Sequence, residues 1–500
     1  MKVHLLFADQ DFEPRPMRPV EEDVVQDLEL DRVYRTMAGG DRYVDDVVRQ
    51  VVVRPLTSPE AIRFRQEVLV DFTQNGELAS TLYDMCVQLA EDRKRAWGMW
   101  GRSSTNPTAI LGGAVREMEL YVGQLKALLA LARRHVGTVR SAGLRGFFAS
   151  LEENLTDEYF ATIEEHLERL HFRDGVLMSA VLGPDLSGRD FVLRKSSDTK
   201  VSWFHRLSKG SREGYSFTVP PRDEAAGHSL DTLRTHGVNL VANALAQASD
   251  HVQSYFTLLR YEVAFYLGCL RLREGLVKRE IPLCWPIPTS ADRADLHAAG
   301  LRDPSLALQA GGPVYGNALA ADGKALVIVT GANSGGKSTF LRSVGLAQVL
   351  MQCGCFVAAD AFGASLCSGV LTHFIREEDA SMTRGRLDDE LARMGRLVDG
   401  VERRALVLCN ESFASTNERE GSEIGRQVVQ ALLDSDIRVI YVTHQFDFAE
   451  SFFVSAMRPS VLFLAAQRTA DGTRNFTIAE QEPEATSYGA DLYDKVFTAP

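Results

Sequence analysis

The stretch LVIVTGANSGGKST, from Leu326 to Thr339, decides the fold of the C-terminal part of this chain. Its first five residues are mostly apolar and rich in β-branched side chains, which is typical of a buried strand. The residues that follow fit the phosphate-loop pattern G-x-x-x-x-G-K-[ST]. Glycines in that pattern allow positive φ angles, so that consecutive backbone N–H groups can surround a phosphate. The stretch therefore predicts a nucleotide-binding loop between a strand and a helix.

Other apolar segments of the same region also have the character of strands. They are ALVLC at 405–409, RVIYVT at 438–443 and SVLFLAA at 460–466. Helix-length segments separate them, and this alternation predicts a mainly parallel sheet that is covered on both faces. The fold class expected from about residue 284 onward is therefore an α/β nucleotide-binding domain.

The phosphate loop supplies most of the candidate cofactor-binding residues. Its backbone amides would wrap the phosphates, Lys337 would reach the β- and γ-phosphates, and the Ser338 hydroxyl would ligate Mg²⁺. We therefore predict ATP and Mg²⁺ as cofactors. The loop residues expected to bind the nucleotide are Gly331, Ala332, Asn333, Ser334, Gly335, Gly336, Lys337, Ser338 and Thr339.

Two polar residues, Asn410 and Glu411, follow the apolar run at 405–409. A carboxylate at Glu411 would lie opposite the γ-phosphate and could orient or deprotonate the attacking water. Asn410 stands where a second carboxylate is usual. Its amide oxygen can accept a hydrogen bond from water on Mg²⁺ but adds no negative charge. We therefore expect a nucleotide switch whose hydrolysis is slow or demands much magnesium.

The candidate catalytic residues are Glu411, His444 and Lys337. His444 directly follows the run at 438–443. From there its imidazole could hydrogen-bond the γ-phosphate. A histidine at the end of a strand has little weight alone, and only the surrounding set of residues makes this one a candidate.

The region from about 51 to 283 is predicted to be mostly helical. Its longest helix is expected between Pro221 and Pro282, since apolar residues step there by threes and fours for more than four heptads. About 50 helical residues would form a rod of roughly 75 Å. Such a rod suits a lever or arm, and a long helix in a compact bundle is the alternative.

A basic stretch at about 181–222 interrupts these helices. Its positive side chains could contact the phosphate backbone of a nucleic acid, and a solvated loop is the alternative. The net charge of −12 counts against nucleic acid as a partner but does not exclude a local basic patch. The candidate contacts are Arg189, Arg194, Lys195, Lys200, Arg206, Lys209 and Arg212.

The composition, with 45% hydrophobic and 24% charged residues, is typical of an ordinary soluble protein. The sequence contains neither a membrane-length apolar run nor a signal-peptide pattern. Its seven cysteines are scattered without a CxxC pair, which favours reduced thiols and a cytoplasmic location, at the nucleoid if the protein is bound to DNA. We expect Cys353 and Cys355 to be buried side chains rather than metal ligands.

Together these motifs resemble those of the MutS family of DNA mismatch-repair ATPases. The likeness is strongest at 330–359, which resembles the family's phosphate loop, following helix and hairpin. NESFASTNEREG at 410–421 resembles its acidic pair and polar loop, and VTHQFDFAE at 442–450 its histidine switch. TSYGADLYDKVF at 486–497 resembles the segment that closes the ATPase domain, and RPLTSPEAIRFRQ at 54–66 the start of its core and lever domain.

The resemblance implies a P-loop ATPase domain of the ABC type at 284–500, preceded by a helical core and lever domain at 51–283 with a clamp-like insertion at about 181–222. Residues 1–50 form an N-terminal extension of unknown role. It further implies an ATP-gated clamp on double-stranded DNA that is mismatched, damaged or branched. A homodimer is expected, since both half-sites enclose each nucleotide, and no membrane partner is expected. The alternative is an ATP-driven scaffold whose arms grip a protein partner.

The sequence also departs from the family pattern. The Phe-x-Glu wedge of mismatch readers is missing before residue 51, so bent or branched duplex is as good a candidate substrate as a mismatch. We also expect neither a nuclease tail nor a helical dimerisation tail.

Two further departures concern the nucleotide site. In the signature segment at 382–391, Gly385 replaces the usual serine and Leu387 the usual aromatic residue, so contacts across the dimer would rest on backbone amides and on Arg384 or Arg386. Val314 occupies the position of the aromatic residue that stacks on adenine. Tyr315 is the expected substitute, ahead of Asn317.

Overall fold

The computed structural model describes residues 2–98, 107–172, 175–184, 188–194, 218–220, 222–309, 312–331, 335–376, 385–468 and 474–484. The chain forms two compact units. The helical unit comprises Met1–Val3, Thr81–Gly137 and Phe148–Arg260, and the sheet unit comprises His4–Ser80, Thr138–Phe147 and Tyr261–Pro500.

The α-helices of the described residues are α1 Pro19–Asp27, α2 Leu30–Ala38, α3 Arg42–Val52, α4 Pro59–Gln74, α5 Leu78–Gly98, α6 Pro107–His135, α7 Ala142–Asn154, α8 Asp157–Leu170, α9 Glu224–Val277, α10 Pro304–Gln309, α11 Lys337–Gln352, α12 Arg386–Gly400, α13 Glu418–Asp434 and α14 Phe446–Phe453. Among these helices, none is both long and apolar enough for a membrane span.

The β-strands of the described residues are β1 Met178–Leu182, β2 Gly188–Leu193, β3 Ile287–Thr289, β4 Leu296–Leu301, β5 Asn317–Ala320, β6 Leu326–Thr330, β7 Ala361–Ser365, β8 Val370–Phe374, β9 Leu406–Asn410, β10 Arg438–Val442, β11 Val461–Arg468 and β12 Arg474–Glu480.

A six-stranded sheet forms the core of the sheet unit, in the order β12-β11-β6-β10-β9-β8. Five strands are parallel, and β12 pairs with β11 in the antiparallel sense. Val407 and Cys409 of β9 face a buried cluster with α12, α13 and α14, whereas Leu408 between them faces α11 near Gly345. Helices thus cover both faces, and the predicted α/β architecture with a mainly parallel sheet is confirmed.

A second sheet of four strands, in the order β3-β7-β4-β5, lies in the same unit. β3 is parallel to β7, and the other pairs are antiparallel. This sheet was not predicted from the sequence, because its strands are short and contain few β-branched residues.

The N-terminal residues are an integral part of the sheet unit. α1 packs against β8, and the Arg376 guanidinium just after β8 lies 2.6 Å from an Asp23 carboxylate oxygen on α1. The buried Arg65 of α4 donates hydrogen bonds to the backbone carbonyls of Leu6 (3.0 Å) and Cys353 (3.0 Å). These contacts connect the first part of the chain to the end of α11.

The burial expected for Cys353 and Cys355 is confirmed. All seven lie in the described part of the chain and are free thiols. Cys353 and Cys355 are both fully buried, and burial raises the pKa of each thiol. Neither belongs to a group of side chains that could hold a metal ion among the described residues. The reducing, cytoplasmic location stays a prediction.

The helical unit contains α6, α8 and most of α9. α9 runs for 54 residues, within the limits that the sequence predicted. Its early residues are largely exposed, as at Leu240, whereas the segment from Glu262 to Cys269, which belongs to the sheet unit, is buried.

Between α8 and α9 the antiparallel strands β1 and β2 form a hairpin, which was not predicted from the sequence.

Gly421 in the first turn of α13 permits a close backbone approach. A Cβ atom there would lie 2.3 Å from the Phe413 carbonyl oxygen. We predict that Gly421→Ala lowers the free energy of unfolding by about 1–3 kcal/mol, because the helix must move away from this turn. Thermal or urea unfolding monitored by circular dichroism measures the change.

Gly395 in α12 is the matched control, since a Cβ atom there meets nothing within 4 Å. Gly395→Ala should be neutral or should stabilise the protein by up to about 1 kcal/mol, as expected for an exposed helical glycine. Equal effects of the two substitutions would contradict the close approach at Gly421.

Candidate functional site

The loop after β6 has the backbone conformation that its glycines were expected to allow. Gly331 has φ 103° and Gly336, the residue before α11, has φ 91°. A Cβ atom on Gly331 would lie 2.9 Å from the Ala466 backbone nitrogen on β11, so only glycine fits there. Three predicted loop residues, Ala332, Asn333 and Ser334, lie outside the described residues.

Lys337 and Ser338 begin α11 and face the end of β9. The Lys337 side chain is buried, and its Nζ donates a hydrogen bond to the Gly331 carbonyl oxygen at 2.7 Å. Burial lowers the pKa of Lys337, an effect that the nearby Glu411 carboxylate opposes. Ser338 Oγ donates to Asn410 Oδ1 at 3.0 Å. The structure thus brings the phosphate loop and the Asn410-Glu411 pair together.

Glu411 follows β9 with a left-handed backbone, φ 54°. Its carboxylate Oε2 lies 3.6 Å from Nδ1 of His444, which comes just after β10. The interaction with His444 holds the pKa of the Glu411 carboxyl below its usual value, and the same interaction raises the pKa of the His444 imidazole. Glu411 is therefore an ionised acceptor at neutral pH, as a proton-accepting role requires.

A cavity of about 530 Å³ extends from these residues. Lys337, Ser338 and Glu411 are among its polar lining residues, and Pro313 and Val314 are among its apolar ones. An apolar cleft with a few convergent charged groups is typical of a site for a small organic ligand.

Tyr315, Asn317 and Phe476 form another part of the cavity wall. The Tyr315 and Phe476 rings stack, with centroids 5.8 Å apart and an angle of 26° between their planes. Asn317 Nδ2 donates to the Phe476 carbonyl oxygen at 3.2 Å, and its Oδ1 accepts from the Ile478 N–H at 2.8 Å. Phe476 was not predicted from the sequence, because nothing in its local sequence marks an aromatic side chain that meets Tyr315 from a distant strand.

The oxygen atoms near the loop fit a magnesium ion that phosphate oxygens would largely hold. The Ser338 hydroxyl and the Asn410 amide oxygen are neighbours, and Mg²⁺ prefers a few protein oxygens together with water and phosphate. No group of three or more carboxylate, imidazole or thiol ligands occurs in the part of the chain that the structure describes. Ser338 would be a direct ligand, and Asn410 would act through water.

Two of the seven basic candidates for DNA contact lie among the residues that the structure describes. Arg189 lies on β2 and is exposed; Arg194 directly follows β2, and its Nε donates to Ser179 Oγ at 2.8 Å. Val181 and Leu182 of the same hairpin are 62% and 67% exposed, so the hairpin offers an open surface. The other five candidates, Lys195, Lys200, Arg206, Lys209 and Arg212, lie outside the described residues.

The signature segment is described from Gly385 onward. Gly385 immediately precedes α12, Arg386 is the first residue of the helix, and Leu387 packs against the buried cluster of the large sheet. Arg384 lies outside the described residues, as does the segment at 486–497 that resembles the end of the ATPase domain.

Comparison with known proteins matches two family models to this chain. The MutS2 N-terminal domain matches residues 57–279, and MutS domain V matches residues 327–497. The DNA mismatch repair protein MutS of Synechococcus elongatus is 25% identical over 472 residues, which cover 84% of this chain and 51% of that protein. The corresponding protein of Microcystis aeruginosa is 23% identical over 450 residues, 81% of this chain and 50% of its own.

A human relative, MutS protein homolog 4, is 26% identical over 165 residues, 33% of this chain and 17% of its own length. The chain thus spans about half the length of the two bacterial relatives and less of the human one.

The ion pair between His444 and Glu411 can be tested directly. We predict that Glu411→Gln lowers the pKa of His444, because the neutral amide no longer stabilises the imidazolium. An NMR titration of the ring resonances measures this value. Glu423→Gln, a charge removal on the exposed face of α13, should leave it unchanged; an unaltered His444 titration in Glu411→Gln would exclude the pair.

Proposed function

This chain belongs to the MutS family, and we propose that it is an ATPase that binds duplex DNA and controls its grip by binding and hydrolysing ATP. The observation that carries the proposal is that Lys337, Ser338 and Glu411 line a single cavity, with Asn410 hydrogen-bonded to Ser338. Phosphate-binding, magnesium-binding and proton-accepting groups are those that phosphoryl transfer to water requires.

In the proposed reaction, the loop amides and Lys337 hold the β- and γ-phosphates. Glu411 orients a water molecule and accepts its proton as the water oxygen bonds to the γ-phosphorus. The bond from that phosphorus to the bridging oxygen breaks, giving ADP and phosphate. Mg²⁺, when bound, supplies positive charge that offsets the charge on the phosphates. In this proposal His444 keeps Glu411 ionised and forms a hydrogen bond to the γ-phosphate.

Asn410 sets the magnesium demand in this proposal. Its Oδ1 accepts the Ser338 hydroxyl hydrogen bond, which preserves the orientation of Ser338. The amide adds no negative charge beside the ion, and we therefore propose slow or magnesium-demanding hydrolysis rather than a loss of activity.

The aromatic pair of Tyr315 and Phe476 is the proposed site of the adenine base. Both rings lie in the wall of the cavity that holds the phosphate-binding residues. Tyr315 is 55% and Phe476 is 40% exposed, so each ring has a surface to which a planar base can stack.

DNA binding is proposed for the β1–β2 hairpin and the basic residues that follow it. The exposed Arg189 and Arg194 support this proposal, as do relatives whose names describe DNA mismatch repair. Contacts to phosphates would make binding salt-dependent but insensitive to sequence. The substrate is proposed to be mismatched, damaged or branched duplex, and the active form a homodimer to which the segment near Gly385 contributes. The names of the relatives favour DNA over a protein partner.

The ATPase proposal predicts distinct effects of three substitutions. Lys337→Ala should abolish saturable ATP binding, and Glu411→Ala should retain binding while lowering kcat by about 100-fold or more. Asn410→Asp should lower the Mg²⁺ concentration for half-maximal turnover. Fluorescent-nucleotide titration and phosphate release measure these quantities. Unchanged uptake in Lys337→Ala, or unchanged turnover in Glu411→Ala, would refute the roles given to these residues.

The DNA proposal is tested by comparing matched, mismatched and four-way-junction duplexes, with and without ATP and Mg²⁺. Glutamine at positions 194, 195, 200 and 206 should weaken binding. The plot of log affinity against log salt concentration should also become less steep, its slope changing by about 0.9 for each lost phosphate contact. The matched control replaces four exposed arginines elsewhere by glutamine, at positions 63, 95, 403 and 419. Equal losses in both variants, or no DNA binding by the unmodified protein, would favour the protein-partner alternative.

A further inference from the structure

The turn that carries Glu411 has an unusual backbone. Glu411 has φ 54° and Phe413 has φ 62°, so two non-glycine residues separated by Ser412 adopt the left-handed region. L-residues with side chains rarely adopt this region, since the Cβ atom crowds the backbone. Such a conformation persists only where surrounding contacts determine it, and it is common at functional sites.

Glu390 of α12 supplies two of these contacts. Its side chain is buried, and its Oε2 accepts a hydrogen bond from the Phe413 backbone N–H at 2.5 Å. Its Oε1 accepts another from the Ser415 hydroxyl. One carboxylate thus holds two donors of the turn from a separate helix. Glu390 itself does not line the nucleotide cavity.

His373 at the end of β8 completes the support. Burial lowers its pKa to about 4, so the ring is neutral, with one donating and one accepting nitrogen. Nε2 lies 3.0 Å from the Glu390 carbonyl oxygen and therefore donates. The Ser412 hydroxyl lies 2.7 Å from Nδ1 and 2.9 Å from the His373 carbonyl oxygen, so its single hydrogen is shared between these two acceptors. The ring also stacks on Phe413, with centroids 5.5 Å apart.

β10 holds the same turn from another side. The buried Tyr441 hydroxyl donates to the Ser412 carbonyl oxygen at 2.8 Å. The residue after Glu411 is therefore fixed through both its side chain and its backbone. The Glu411 side chain, in contrast, projects to the cavity and to His444.

We propose that Glu390 is a positioning residue for ATP hydrolysis, which holds the left-handed turn at Glu411–Phe413 and so aims the Glu411 carboxylate at the attacking water. The inference rests on the proposed function. The Glu390 carboxylate contacts the turn and does not line the cavity, whose lining includes Lys337 and Ser338. Losing Glu390 therefore affects turnover and leaves nucleotide affinity intact.

The test compares kcat and the ATP dissociation constant in variants of the full-length protein. Glu390→Ala should lower kcat by about 10- to 100-fold, as expected when a reacting group is misplaced by about 1 Å. Its ATP affinity should stay within about twofold, because Glu390 does not line the nucleotide cavity. Glu390→Gln should recover much of the rate, since its amide oxygen can still accept from the Phe413 N–H.

Two further variants keep the test decisive. Ser415→Ala removes one of the two donors to Glu390 and should lower kcat to a smaller extent, again at unchanged ATP affinity. If Glu390→Ala does not fold, this variant tests the positioning role in its place. Glu423→Ala removes an exposed carboxylate from α13 and should behave as the unmodified protein does.

The outcomes distinguish this inference from the function on which it rests. A normal kcat in Glu390→Ala, or in Ser415→Ala if the first variant is unfolded, overturns the positioning role alone. A parallel loss of ATP affinity and kcat overturns it too, since that result indicates general structural damage. Absence of hydrolysis by the unmodified protein overturns the proposed function, and this inference with it.

Discussion

The parallel register of β6, β10 and β9 is the constraint on which the candidate site depends. Val442 of β10 pairs with Val329 of β6 on one side and with Asn410 of β9 on the other. The Glu411 N–H donates to the Val442 carbonyl oxygen at 2.8 Å, so the pairing continues one residue beyond β9. Because parallel strands end at the same edge, the phosphate loop, His444 and Glu411 become neighbours.

The helix that follows the phosphate loop is also held by residues outside the sheet. Arg342 of α11 forms ion pairs with Asp303, at 2.5 Å, and with Glu29, which lies between α1 and α2. The Asp303 side chain is completely buried, and a buried carboxylate of this kind needs such a partner. The N-terminal residues, for which the sequence indicated no role, thereby form part of the scaffold around Lys337 and Ser338.

Much of the large sheet could be predicted because its signals are local. A buried parallel strand is a run of β-branched residues, and the phosphate loop is a short pattern in which each residue has a chemical task. The four-stranded sheet and the β1–β2 hairpin have no comparable signal, since their strands are short and their exposed faces carry mixed side chains. The long helix α9 could be predicted because its apolar period is sustained over many turns.

The sequence by itself determined the chemistry at the site: a lysine and a hydroxyl after a glycine loop, an amide and a carboxylate after one strand, and a histidine after the next. Only the tertiary structure decided how these groups are held. Glu390, His373 and Phe476 meet their partners through packing between elements far apart in the chain, and no local pattern of residues encodes such contacts. The left-handed backbone of Glu411 has the same origin, since an isolated glutamate would not adopt it without the surrounding hydrogen bonds.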